Sequence, residues 1–258
     1  MRPLRSLACP TLFLALPALT GCASLQTAFS NVNLFSPEDD VAVGKQAYTE
    51  ILQGQPTQKS GSSYQMCKRV TDRLVAAAAE EDPELTALFE WEVSVIEDPN
   101  TVNAFCLPGG KMAVYTGILT VAQGDAGLAV VMGHEIAHAT RRHGTEALTR
   151  QGLFQNTIAY LAGDYSQLAG LGVGLLSLSF GRGAELEADR AGLLYMARAG
   201  YDPREAVAFW QRMDALGGEA PPRWLSTHPP NADRIAQIEE RLPEALEVWK
   251  ASVAAAQP

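Results

Sequence analysis

The C-terminal half of the chain alternates apolar and polar residues mainly with a helical period. Apolar residues recur three and four positions apart, which is the spacing of a helix that buries one face. The sequence Asp202-Pro203-Arg204-Glu205 adds a helix-start signal, with a capping acid, a first-turn proline and a third-position glutamate. The helices predicted in this half span 125–142, 145–162, 184–199 and 203–216, and a last one begins at 231.

The N-terminal half predicts two helices and a small sheet. Ser36 and Pro37 form a helix start, and the helix runs to about Gln53, while residues 64–80 have the apolar spacing of a second helix. Residues 91–95 alternate apolar and polar side chains and predict a strand. Residues 103–117 predict a strand, a Pro-Gly-Gly turn and another strand. We therefore expect a predominantly helical α+β fold with a small sheet beside helix 125–142.

The first residues have the pattern of a secretory leader. Two arginines precede the apolar run 7–19, which is too short to span a bilayer. Leu19-Thr20-Gly21-Cys22 resembles a bacterial lipobox, so we predict a lipoprotein signal peptide over 1–21, lipidation of Cys22 and a flexible tether over 22–35. An ordinary signal peptide with a chance cysteine is the alternative. Because no aspartate follows Cys22, we expect the periplasmic face of a bacterial outer membrane.

The net charge limits which partners the chain is expected to bind, and the cysteines indicate a possible disulfide. The chain has 20 Lys and Arg against 29 Asp and Glu, a net charge of −9. This acidity argues against nucleic acid and against electrostatic binding to anionic lipid, so the lipid on Cys22 would have to provide the membrane contact. With Cys9 in the leader, Cys67 and Cys106 remain as a pair, and we predict a disulfide between them in an oxidising compartment. Two buried free thiols are the alternative.

A metal-binding pattern lies inside the predicted helix 125–142, at His134-Glu135-Ile136-Ala137-His138. At about 100° per residue the two histidines are only about 40° apart and one turn along the axis, so both imidazoles can reach one zinc ion. Glu135 lies at the edge of that face, where a carboxylate can act as general base toward a water activated by the metal. Incidental histidines on a surface helix are the alternative.

A third ligand is expected in Glu185-Leu186-Glu187-Ala188-Asp189. Glu185 and Asp189 are four apart and share a helix face, so we predict Glu185 as the ligand and Asp189 as an acceptor that orients a ligand histidine. Glu187 points away and is the competing ligand, and a solvated acidic face is a further alternative. His143 falls on the face opposite His134, which indicates a structural role.

These motifs, together with Asn-Ala-Phe…Pro-Gly-Gly-Lys at 103–111, resemble the gluzincin zinc metallopeptidases of HtpX, the CAAX prenyl proteases and the OMA-type peptidases. The resemblance covers about residues 37–240 and is closest to BepA- and LoiP-like periplasmic lipoprotein metalloproteases. It implies a zincin-like metallopeptidase domain over 36–258, one Zn²⁺ per chain and Glu185 as a ligand. Thr227-His228-Pro229-Pro230 is similar to a segment of this branch whose histidine can approach the zinc. His228 is thus expected to be a reversible fourth ligand or a donor to the oxyanion.

The function that these features predict is hydrolysis of peptide bonds in unfolded or misassembled cell-envelope proteins, with Glu135 as general base. We expect the strand near 111–115 to present an open edge that pairs with an extended substrate. A lipoprotein chaperone or assembly factor with a vestigial or latent zinc site is the main alternative, and a metalloesterase or deacetylase is a weaker one. The apolar segment 169–180 is either a core helix or a mobile flap over the site.

Overall fold

Helices dominate the computed structural model, which describes residues 33–150, 171–216, 222–228 and 234–256. The predicted signal peptide and Cys22 lie outside the described residues. In chain order the described helices are α1 (Pro37–Leu52), α2 (Gly61–Ala79), α3 (Pro83–Leu88), α4 (Thr116–Ala122), α5 (Asp125–Thr140), α6 (His143–Arg150), α7 (Leu171–Leu176), α8 (Arg182–Arg198), α9 (Glu205–Ala215), α10 (Arg223–Thr227) and α11 (Arg234–Ala255). The strands are β1 (Thr57–Gln58), β2 (Glu92–Ile96), β3 (Ala104–Cys106) and β4 (Lys111–Tyr115). The predicted α+β class with a predominance of helix is confirmed.

The four strands form one mixed sheet in the order β1-β2-β4-β3. Strands β2 and β4 are parallel, with Val93 opposite Met112, and the other two pairs are antiparallel. Strand β4 is therefore an inner strand, and the expectation that residues 111–115 present an open edge is wrong. Among the described residues, the free edge on this side belongs to β3, because the chain reverses at Pro108–Gly110 and places β4 between β3 and the earlier strand β2.

The turn between β3 and β4 confirms the role of the predicted Pro-Gly-Gly. Gly109 has a φ of 73°, a left-handed conformation that glycine adopts without strain. A side chain at this position would also meet the backbone of α1, since a Cβ would lie 2.5 Å from the Cα of Val41. The turn thus packs against α1 and fixes the start of β4.

The sheet separates two hydrophobic clusters because successive side chains of a strand point to opposite faces. On β4, Met112 and Val114 join the larger cluster with α2, α5, α8, α9 and α11. Ala113 and Tyr115 face the smaller cluster, which contains residues of α1, α6 and α7. Helix α5 lies inside the larger cluster and is buried from Gly127 to Thr140. The sheet and α8 therefore hold α5 from several sides.

Helices α5 and α8 cross at a pair of glycines. A Cβ on Gly192 would lie 2.7 Å from the backbone nitrogen of His134, and one on Gly133 would lie 2.9 Å from the carbonyl oxygen of Gly192. Only glycine at both positions allows this backbone approach. The crossing brings the metal motif of α5 next to the acidic motif at the start of α8.

Several other expectations differ from the structure. Cys67 and Cys106 are free thiols, so the predicted disulfide is not formed; Cys67 lies in the helical core, while Cys106 lines a cleft. The end of the predicted flexible tether is docked, because Asn33 donates a 2.9 Å hydrogen bond to Thr145 and Phe35 is buried.

The segment 169–180 is described from residue 171, and it forms the short helix α7 against α1 followed by a non-helical stretch. Within the described ranges, no single helix has both the length and the apolar character needed to cross a membrane. Helices α4 and α5 pass that test only as a pair, across a bend of 119°.

Candidate active site

The two histidines of the α5 motif point to a common centre. His134 and His138 are both buried, and their Nε2 atoms lie 3.0 Å apart. One helical turn separates them, as the sequence spacing predicts. Both rings therefore lie inside the core with their Nε2 atoms toward each other.

Helix α8 adds a carboxylate from its first turn. The Glu185 oxygens lie 3.3 Å from Nε2 of His138 and 3.6 Å from Nε2 of His134. Glu187, the competing ligand, points away: its side chain is 54% exposed and contacts Arg141 and His143. The structure therefore brings Glu185, and not Glu187, to the two histidines.

His228 completes the cluster from the end of α10. Its Nδ1 lies 3.2 Å from Nε2 of His134 and 3.0 Å from Oε1 of Glu185. The donor atoms of His134, His138, Glu185 and His228 all lie within 4.8 Å of one another, and all four residues are buried.

The spacing of these donor atoms fits zinc. A tetrahedral shell with bonds of about 2.0–2.1 Å places its donors about 3.3–3.4 Å apart. Five of the six pairs among the four residues have contacts of 3.0 to 3.6 Å, and one donor atom from each residue lies within 4.8 Å of the others. Nitrogen and oxygen lone pairs crowded this closely repel one another unless a cation or protons lie between them. The donor set is thus one that could hold a single zinc ion.

Asp189 and Arg234 surround the cluster on the side of α8 and α11. Asp189 Oδ1 lies 2.9 Å from Nδ1 of His134, the contact predicted for an orienting carboxylate. Arg234 donates through Nε to Asp189 at 2.6 Å and through a terminal nitrogen to Glu185 at 2.5 Å. One buried guanidinium therefore holds both carboxylates of the Glu-x-x-x-Asp motif.

Burial and these contacts shift the titration of the cluster. Burial lowers the pKa of His134, but hydrogen bonding and charge from Asp189 outweigh it and raise that pKa above 6.5. Burial lowers the pKa of His138 well below 6.5. For Glu185, burial is outweighed by hydrogen bonds with His138 and His228, which hold its pKa far below the ordinary range. Glu185 is thus ionised and available as a ligand.

Glu135 lies beside the donor set with its carboxylate held. The indole Nε1 of Trp224 donates a 2.7 Å hydrogen bond to Glu135 Oε1, and Nε2 of His228 lies 3.4 Å from the same oxygen. Trp224 is fully buried and stacks on Trp210 with ring centroids 5.2 Å apart. Sequence reasoning missed Trp224, although it precedes His228 by one helical turn.

His143 is closer to the donor cluster than the sequence predicted. Helix α5 ends at Thr140, Arg142 adopts a left-handed φ of 58°, and His143 starts the next helix. The prediction of a residue on the opposite face is therefore wrong, because it extended one helical period through the turn. Nδ1 of His143 lies 3.0 Å from Nδ1 of His138.

A cleft opens on the side of the cluster that faces β3. It encloses about 450 Å³, including solvent at its mouth, and contains Glu135 and His228. One wall is β3 with Cys106, and the other is the segment after α7, whose Phe180 stacks on the His138 ring at 4.1 Å. Burial, and then the charge of Glu135, raise the pKa of the Cys106 thiol well above its ordinary value.

The chain was compared with known protein families and with named relatives. The sequence profile of Peptidase family M48 matches residues 64–242. The mitochondrial metalloendopeptidase OMA1 of Schizosaccharomyces pombe is 43% identical over 187 residues, 69% of this chain and 52% of that protein. OMA1 of Arabidopsis thaliana is 40% identical over 170 residues, 62% of this chain and 34% of that protein. The beta-barrel assembly-enhancing protease of Yersinia pestis is 30% identical over 156 residues, 54% of this chain and 32% of that protein.

These matches correct the expected location of the chain and show that it covers only part of the length of its relatives. The relatives with the higher identities are mitochondrial, so the predicted location at the periplasmic face of a bacterial outer membrane is wrong on this evidence. The chain spans about half the length of the S. pombe relative and about a third of the other two.

The resemblance noted in the sequence is confirmed by the family profile, which covers β2, β3 and β4 and the segments that carry His134, His138, Glu185 and His228. The family is zinc-dependent, in agreement with the donor set. The chain therefore belongs to peptidase family M48.

Proposed function

We propose that this chain is a zinc-dependent endopeptidase in which His134, His138 and Glu185 hold the metal and Glu135 is the general base. The observation that carries the proposal is the position of the fourth donor. His228 Nδ1 lies among the three ligands while its Nε2 lies 3.4 Å from Glu135. A small molecule in place of that ring would touch both the metal and the base. This is the geometry that a hydrolytic water requires.

The side chains at the site are proposed to have separate roles in hydrolysis. Zinc held by these donors would supply Lewis acidity, which acidifies water and polarises the scissile carbonyl. Glu135 accepts the proton of the attacking water and passes it to the leaving amine. Trp224 holds one oxygen of Glu135 and so orients the carboxylate, while Asp189 orients His134.

The substrate is proposed to bind as an extended strand along β3. In the described part of the chain β3 pairs only with β4, and its residues 104–106 line the cleft that contains Glu135. Backbone hydrogen bonds to a strand edge do not depend on side-chain sequence. Segments that have lost their own partners, as in unfolded proteins, can supply such a strand.

The walls of the cleft favour apolar substrate side chains. Phe105, Leu107, Leu175, Leu178 and Phe180 line it, and Glu135 is the acidic residue of the lining. An acidic side chain would lose its hydration there without a counter-charge, because the acidic residue of the lining has the same sign. Unfolded or misassembled proteins expose apolar segments, and we propose them as the substrate class. Peptide hydrolysis agrees with the names metalloendopeptidase and protease that the relatives carry, and one of those names refers to beta-barrel assembly.

His228 is proposed to act as a reversible fourth ligand that closes the resting site. Of the two roles expected from the sequence, the position of Nδ1 among the ligands favours this one over oxyanion stabilisation. The closed arrangement is also compatible with the second candidate function, a chaperone or assembly factor with a latent zinc site. Replacing His228 by alanine should lower zinc affinity and speed casein cleavage, and no change in either would refute the gate.

The experiment that tests the function compares cleavage of unfolded casein by the zinc-loaded wild-type chain and by the Glu135→Gln variant. General-base catalysis contributes about 10²–10⁴-fold, so we expect a loss of that order with zinc still bound. Glu146→Gln is the matched control, since Glu146 lies on α6 and pairs only with Arg150 among the contacts of the described residues. Wild-type cleavage by Glu135→Gln would contradict the proposal. A chaperone would instead keep suppressing casein aggregation in both forms without cleavage.

We propose that Cys22 carries a lipid. The apolar run 7–19 and the following Leu-Thr-Gly-Cys support processing before this residue. Labelling of cells with a fatty acid analogue should modify the wild-type chain and not Cys22→Ser. Equal labelling of the two would refute lipidation at this position.

A further inference from the structure

His138 has a contact on the side of its ring that faces away from the metal donors. Its Nε2 points to His134 and Glu185, whereas its Nδ1 lies 3.0 Å from Nδ1 of His143. A neutral imidazole that ligates through Nε2 carries its proton on Nδ1. His138 must therefore donate this proton, and the acceptor in reach is the ring nitrogen of His143.

His143 is in turn held from its other nitrogen. If Nδ1 accepts, the ring proton of neutral His143 lies on Nε2, which is 3.5 Å from Oε2 of Glu187. The Nε of Arg141 also lies 3.3 Å from Glu187. The contacts form a chain in which Glu187 faces His143, His143 faces His138, and His138 faces the metal donors.

The backbone places His143 at this position through long-range contacts. Arg142 holds its left-handed conformation while its guanidinium binds Asp40 and the carbonyl oxygen of Phe35, each at 2.5 Å. Gly144 follows, with room for a Cβ limited by Pro108 at 3.1 Å. The His143 ring is buried, so it cannot turn out to solvent.

We propose that His143 is a positioning residue for the ligand His138: it accepts the Nδ1 proton of His138 and so fixes the tautomer and orientation of that ring, with Glu187 fixing His143. The inference rests on the proposed zinc site. It gives the two histidine ligands different supports, since His134 faces the carboxylate of Asp189 and His138 faces a neutral imidazole. Glu187, which does not reach the donor cluster, would support His138 indirectly through its contact with His143.

A pair of substitutions separates positioning from packing. His143→Asn keeps an acceptor oxygen near the place of Nδ1, whereas His143→Leu fills similar space without an acceptor. Loss of such a support typically lowers metal affinity about 10–100-fold, so we expect this loss in His143→Leu and a large recovery in His143→Asn. Zinc affinity is measured by competition with a chromogenic chelator, and thermal unfolding of the metal-free variants reports packing alone.

Nitrogen-15 NMR of the zinc-loaded wild-type chain tests the same point without a variant. We expect the proton on Nδ1 of His138 and on Nε2 of His143. The opposite tautomer of His143, or wild-type zinc affinity in His143→Leu, would overturn the inference. Failure of the wild-type chain to bind zinc would instead overturn the proposed site, so the two failures are distinguishable.

Discussion

Arg234 offers a sharp test of how the site is held together. Its side chain is 3% exposed, binds Glu185 at 2.5 Å and Asp189 at 2.6 Å, and lies 4.1 Å above the ring of Trp210. Arg234→Met keeps most of the bulk and removes the charge. In the metal-free protein, two buried carboxylates then lose their shared cation.

The expected cost follows from the type of contact. Breaking a buried ion pair by removing one partner costs about 3–5 kcal/mol, which corresponds to a fall in Tm of roughly 6–20 °C for a domain of this size. Arg204→Met is the matched control, because Arg204 also contacts a carboxylate, Asp202, and a tryptophan ring, Trp249, but its side chain is 62% exposed. An exposed pair contributes about 0–1 kcal/mol.

Thermal and urea unfolding of both variants in the presence of a chelator gives the comparison. We expect Arg234→Met to be destabilised by several kcal/mol and Arg204→Met by little. Added zinc should reduce the difference, because the metal supplies positive charge to Glu185. Equal destabilisation of the two variants, each under about 1 kcal/mol, would refute the argument that Arg234 compensates buried charge.

Three further predictions concern the crossing, pH and the cysteines. Gly192→Ala should separate α5 from α8, which lowers the free energy of unfolding by about 1–3 kcal/mol and weakens zinc binding. Gly183→Ala is the control on the same helix: its added Cβ meets nothing within 4 Å, so denaturant melts should show a neutral or stabilising effect. The pKa of metal-free His134 is raised above 6.5, and zinc requires the neutral ring. Chelator competition should therefore show zinc affinity falling as the pH drops below that pKa, by about tenfold per pH unit if one proton competes. A flat profile between pH 6 and 8 would contradict this. Non-reducing mass mapping should find no peptide linking Cys67 to Cys106, and recovery of that peptide would contradict the structure.

The donors contributed by α5 and α8 could be predicted from the sequence because local geometry determines them. His134 and His138 are one turn apart on a helix whose period is visible, and Glu185 and Asp189 share a face for the same reason. The helix start at Ser36 could be predicted for the same reason, since helix capping involves only neighbouring residues. In the structure Ser36 and Asp39 form a capping box.

The features that the sequence did not predict depend on contacts between distant residues. The turn after α5 is held by Arg142 with Asp40, about a hundred positions away, and it redirects His143 toward His138. The edge position of β3 depends on the parallel pairing of β2 with β4, which no local pattern encodes. Helix α10 has five residues, too few for a period, and yet it brings Trp224 to Glu135; His228, at its end, was expected near the zinc only from the resemblance.

The most direct test of the metal site compares two glutamates on one helix. Zinc bound per chain is measured for the wild type, Glu185→Ala and Glu187→Ala after dialysis against a weak chelator. We expect one zinc in the wild type, none in Glu185→Ala, and one in Glu187→Ala with affinity lowered by no more than about tenfold. Retention of zinc by Glu185→Ala together with its loss from Glu187→Ala would contradict the account.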